Sequence, residues 1–127
     1  KNMNFNINNI ENIYNKKITE QIVNAVRPYK LDDAKKNYSL EISSLEQNKI
    51  TSRDSKGNPL TYRVSIDVKV DVFIAEQNLL LNTINLTKEF TYNYQINQFE
   101  LGQYKIEIIK NLVAKISKQI ILELQLL

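Results

Sequence analysis

The side chains of this 127-residue chain that could do chemistry are few, and most of them are bases. Lys49, Arg53, Lys56 and Arg63 lie within fifteen residues and face a single acid there, Asp54. The whole chain carries a net charge of +3, so this short stretch accounts for all of it and the rest is balanced. Guanidinium and ammonium groups so gathered can hold phosphate or carboxylate, Arg in a bidentate fork and Lys as a point charge. The same stretch also suits a solvated turn whose bases protect a sheet edge. Lys88 is a further candidate: it interrupts an apolar series between Leu86 and Phe90, and an inward Lys must find a partner or reach the sheet margin.

Other chemistry is thinly supplied. There is no His and no Cys, which removes the usual general base, thiol nucleophiles, disulfides and the commonest soft metal ligands. Two glycines cannot build a Gly-rich phosphate loop. The paired carboxylates are Asp32-Asp33 and Asp67 with Asp71. Asp67 and Asp71 share a strand face with Lys69 between them, as expected of a charge-balanced wet face. Ser43-Ser44 has no base to activate it. These absences point away from an enzyme and from any metal or cofactor.

The elements that position these residues follow from hydrophobic periodicity. Phe5, Ile7 and Ile10 begin a short strand. Asn15 is the expected cap of a helix carrying Ile18, Ile22, Ala25, Val26 and Tyr29, with Pro28 near its end. Residues 31–37 read as a polar connection. Tyr38, Leu40 and Ile42 alternate with Ser39, Glu41 and Ser43, a half-buried strand. Turn formers crowd residues 54–59. Leu60 to Ile74 alternates strictly, a pattern with no helical reading. A second reversal falls at 75–78. A partner strand then places Leu80, Ile84, Leu86, Phe90, Tyr92, Tyr94 and Ile96 on one side, the aromatics as core. Two strands of about fifteen residues would each span about 50 Å.

From about Glu100 to Glu123, apolar residues step by four from Tyr104 to Leu124, while Lys105, Lys110, Lys115 and Lys118 take the outer face. The expected fold is a single α+β domain over residues 1–127. It is a two-layer sandwich in the order β-α-β-β-β-α, with two helices packed on one face of a four-stranded sheet.

The alternating strand Tyr62 to Ile74, the basic-aromatic return from Lys88 to Tyr92 and the terminal helix from Tyr104 to Leu124 together resemble the LPS-assembly lipoprotein family (LptE-like). The likeness spans nearly the whole chain. It implies a non-enzymatic protein held on the periplasmic side of the outer membrane by a lipidated Cys, which would lie upstream of Lys1. It also implies a position as a plug inside an outer-membrane LPS-assembly β-barrel protein (LptD-like), where it assists barrel assembly and the delivery of lipopolysaccharide. Within that resemblance the lipopolysaccharide phosphates would meet Arg53 and Arg63 first, then Lys49 and Lys56, with Lys88 as an outlying contact. The alternative is a periplasmic or cytosolic α+β module that uses the basic turn to bind an anionic partner. Nucleic acid is the poorer choice of partner, because Asp67, Asp71 and Glu89 on the wet face repel phosphate.

Overall fold

The computed structural model describes residues 5–29, 36–94 and 97–127. The 31–35 part of the connection, the Asp32-Asp33 pair and Ile96 lie outside the described residues. The elements are β1 (Phe5–Asn12), α1 (Lys17–Val26), β2 (Lys36–Arg53), β3 (Pro59–Ile74), β4 (Leu79–Asn93) and α2 (Gln98–Gln125). The sheet order is β1-β2-β3-β4. β1 runs parallel to β2, joined through the α1 crossover, and β2, β3 and β4 are antiparallel. α1 packs on β1 and β2, and α2 packs on β3, β4 and α1. This is the expected α+β sandwich with both helices on one sheet face.

The core follows the strict alternation of β3. Val64, Ile66, Val68, Val70 and Val72 are buried and face the helices. Tyr38, Leu40 and Ile42 join them from β2, Ile22, Val23 and Val26 from α1, and Ile108, Leu112, Ile116, Ile120 and Leu124 from α2. Phe5 and Ile7 are odd-numbered while Ile10 is even, yet all three serve the core side. Ile7 pairs with Tyr38 and Asn9 with Ser39, so Asn8 is an extra residue that resets the alternation.

Several expectations change. α1 begins at Lys17 with Lys16 at its N-cap and no side-chain cap bond, while Asn15 ends a 3-10 turn over Ile13–Asn15. The helix is seated instead by tertiary bonds. Thr19 Oγ1 and Ser44 Oγ share a buried hydrogen bond at 2.5 Å, and Lys16 Nζ donates to the Ser44 carbonyl at 3.1 Å. β2 runs 18 residues rather than ending near Ser43. In β4, Asn82 pairs with Val72 but Leu80 pairs with Phe73, so Leu81 is extra and Leu80 lies on the face opposite Ile84. α2 is longer than its apolar stripe, 28 residues or about 42 Å. Asn97 caps it, its Oδ1 accepting from the Phe99 and Glu100 amides at 2.9 and 3.2 Å.

Candidate functional site

The β2–β3 end of the sheet projects past its helical cover. Val64 is fully buried, but Ile50 and Leu60, beyond it toward the turn, are 41% and 48% exposed. The backbone there is held by sheet pairing and by a closed turn. Asp54 organises that turn. Its Oδ1 accepts from the Asn58 amide at 2.8 Å and the Lys56 amide at 2.9 Å, and its Oδ2 accepts from Asn58 Nδ2 at 3.1 Å. The Gly57 amide donates to the Asp54 carbonyl at 3.0 Å. Gly57 supplies the left-handed conformation that the reversal needs, φ 86°. The Asn58 amide, helped by its side chain and the Lys56 and Gly57 amides, holds the Asp54 carboxyl below its ordinary value, against a smaller opposing effect of burial.

The four predicted bases are not equivalent on this tip. Lys49 and Arg63 are direct cross-strand partners on the wet face, a like-charged pair that raises the local positive potential. Glu89 on β4 relieves it: its Oε2 lies 3.2 Å from Arg63 Nε, with the two side chains 40% and 54% exposed. Arg53 Nη1 donates to the Gly57 carbonyl at 2.9 Å, so this guanidinium helps close the turn. Lys56 is exposed within the turn, engaged through its backbone amide. Lys88 does not belong to this group. It pairs with Ile66 on the helix-facing side, whereas Arg63 pairs with Thr91 on the other. The tip therefore gathers Lys49, Arg53, Lys56 and Arg63 and excludes Lys88.

Behind the tip, the helix-facing side carries a tyrosine cluster. The Tyr62 ring lies 5.7 Å from both Tyr92 and Tyr94, and Tyr104 of α2 meets Tyr92 edge-on at 5.9 Å. Burial, reinforced by Tyr62 and Glu46, raises the Tyr92 hydroxyl above its ordinary value. The core reading of the β4 aromatics holds for Tyr92 but not for Phe90, which is 41% exposed on the edge strand.

The wet-face acids are engaged locally. Thr83 Oγ1 donates to Asp71 Oδ1 at 2.7 Å and Thr87 Oγ1 to Asp67 Oδ1 at 2.6 Å, each across a β3–β4 pair. Lys69 lies 3.9 Å from Asp71. Among the described residues no group of three or more acids, His or Cys is placed to hold a metal ion.

Periodicity also misplaces one lysine. Lys105, expected on the outer face, reaches Glu46 of β2 at 3.6 Å. The two residues sit beside a groove between α1 and α2. The signal for that groove is a set of small residues, Ala25, Gly102 and Ala114, placed where larger side chains would have filled it.

No protein-family model matches the chain, and no curated protein sequence matches it. Its backbone does resemble solved structures. Rare lipoprotein B from Shewanella oneidensis is 15% identical with a TM-score of 0.64, covering 91% of this chain and 92% of that one. A minor lipoprotein from Acinetobacter baumannii is 11% identical with a TM-score of 0.67, covering 98% and 92%. Lipoprotein B from Nitrosomonas europaea is 15% identical with a TM-score of 0.64, covering 94% and 81%. At these identities the likeness establishes a common fold.

Proposed function

We propose that this chain is the folded domain of a non-enzymatic lipoprotein on the periplasmic side of the outer membrane. There it plugs and assists assembly of a lipopolysaccharide-transporting β-barrel, and its basic tip meets lipopolysaccharide phosphate during delivery to the cell surface. The observation that carries this reading is the likeness, over 91–98% of the chain, to three bacterial lipoproteins. The wet sheet face supports it too. Thr83, Asn85, Thr87, Glu89 and Thr91 on β4 continue across β3 with Asp67, Lys69 and Asp71. Such a face suits a hydrated contact with a polar barrel lumen better than an apolar interface. The bases at the tip supply the phosphate-binding chemistry.

The test is co-purification. The gene, expressed with its own upstream segment and together with the outer-membrane barrel of the same cell, should yield a stable complex in mild detergent. Recovery of the protein alone, with the barrel present and folded, would refute the plug role. A mature N-terminus without lipid by mass spectrometry would refute the anchor.

A further inference from the structure

We propose that the groove between α1 and α2 is a binding site for a single alkyl chain carrying an anionic headgroup. The groove has a volume of about 770 Å³, within the size range of small-molecule sites, about 300–1,000 Å³. Its floor is apolar. Ile18 and Ile109 pack against the core from the two helices, and Val113 is buried between them. Ile106 stands 60% exposed on the wall and extends the apolar floor toward solvent. Gly102 opens the space: a Cβ built there meets no atom within 4 Å.

The charge at the rim selects the occupant. Lys17 stands on the α1 side, and Lys105 and Lys110 on the α2 side. Among the described residues the one carboxylate in the lining, Glu46, is taken by Lys105. Among the described residues neither Lys17 nor Lys110 has an ion-pair partner. An alkyl chain would cover the isoleucines and an anionic head would meet the two ammonium groups, so one molecule satisfies both features. A second copy docked groove to groove fits poorly, since it would bring its own Lys17 and Lys110 against the same two lysines. The inference stands on the groove alone and draws on neither the basic tip nor a barrel partner.

The experiment is an amide-resolved NMR titration of the protein with dodecyl phosphate, dodecyl maltoside and dodecyltrimethylammonium, each below its critical micelle concentration. Dodecyl phosphate should bind saturably, shift the amides of Ala25, Gly102, Ile106 and Ala114, and bind at least tenfold more tightly than the neutral and cationic probes. Across a series of alkyl phosphates, affinity should rise about fourfold for each methylene that enters the groove. The pair Lys17→Gln, Lys110→Gln should weaken binding at least fivefold and flatten its salt dependence. Gly102→Phe should fill the groove and abolish binding. Ile106→Glu, at an exposed position, should do the same by charge if the larger ring disturbs the helix. Equal affinity for the three headgroups would overturn the proposal, as would shifts confined to residues 49–63 or a failure to saturate. Concentration-dependent dimerisation that moves the same amides without ligand would assign the groove to a second copy and overturn it too.

Discussion

If the tip binds lipopolysaccharide phosphate, Glu89 competes with that phosphate for Arg63, and its removal should strengthen binding. The perturbation is Glu89→Gln, set beside Arg63→Ala and the joint variant Arg53→Ala, Lys56→Ala, Arg63→Ala. The Arg63–Glu89 pair is 3.2 Å long but half open to water, so it is worth about 0.2–1 kcal/mol. Releasing it should tighten lipopolysaccharide binding by up to about fivefold at low salt. The gain should shrink as the screening length falls from about 30 Å at 0.01 M salt to about 8 Å at 0.15 M. Arg63→Ala should weaken binding by a similar factor, and adding Glu89→Gln to it should change nothing more. The joint variant removes three exposed charged contacts, about 0.6–3 kcal/mol together on the same scale, and should flatten the salt dependence. Arg53→Ala also removes a bond to the Gly57 carbonyl, so circular dichroism must first show that the sheet is intact. Lys88→Ala, on the opposite face, is the internal control and should bind like the parent. The assay is a lipopolysaccharide titration at low and high salt. Unchanged or weaker binding by Glu89→Gln, or a parent-like joint variant, would refute the assignment of phosphate to this tip.

The Thr19–Ser44 bond is buried, so Thr19→Val should cost about 1–3 kcal/mol by leaving the Ser44 hydroxyl without a partner. Thr19→Val with Ser44→Ala should cost less than the two single changes added together, measured by urea unfolding. Asn97→Ala should lower the thermal midpoint through the loss of an N-cap worth about 1 kcal/mol. Asp54 has a depressed folded-state value, so its contribution is fully present above the ordinary carboxylate range and is lost as pH falls through the depressed value. Parent and Asp54→Ala should therefore differ in stability at neutral pH and converge in strong acid. The purified protein should carry no stoichiometric divalent metal by elemental analysis; a tightly bound equivalent would contradict the non-enzymatic, metal-free reading.

β3 was legible in the sequence because both of its neighbours are strands and one of its faces is wholly apolar, so each residue declares its side. α2 was legible for a related reason, since its stripe from Ile108 to Leu124 meets the core without interruption. The distal half of β2 was not. From Glu46 onward its helix-facing side carries Glu46, which meets Lys105 of α2, then Asn48 and Ile50, both exposed, so no run of alternating apolar residues marks the strand, and pairing with β3 keeps the chain extended there. Bulges hid Leu80 and the alternation in β1, because one inserted residue exchanges the faces of all that follow. The basic tip could be read because a charge excess needs no geometry. Its internal ranking could not, because the Glu89 partner of Arg63 is 26 positions away and the role of Arg53 in the turn depends on the Gly57 carbonyl.

A division of labour along the long axis would let one small sheet carry the two proposed sites separately. The core lies where α1 and α2 both cover the sheet, from Phe5 and Leu40 to Val64 and Ile108. The tip beyond Tyr62 contributes almost nothing to it, as the exposure of Ile50 and Leu60 attests. Its conformation rests on ladder bonds and on the Asp54 turn, so its bases can change with small effect on global stability. The groove lies between the two helices, where Glu46 of β2 joins its lining and Ile18, Ile106 and Ile109 give it apolar edges. A substitution at either place should leave folding cooperativity intact and leave binding at the other place unmoved, because the tip bases lie on the wet face or in the turn while the groove opens on the helix side. Coupling between the two, seen as a tip variant that alters dodecyl phosphate binding in the groove, would mean instead that both contact one continuous amphiphile, its phosphates at the tip and its chain between the helices.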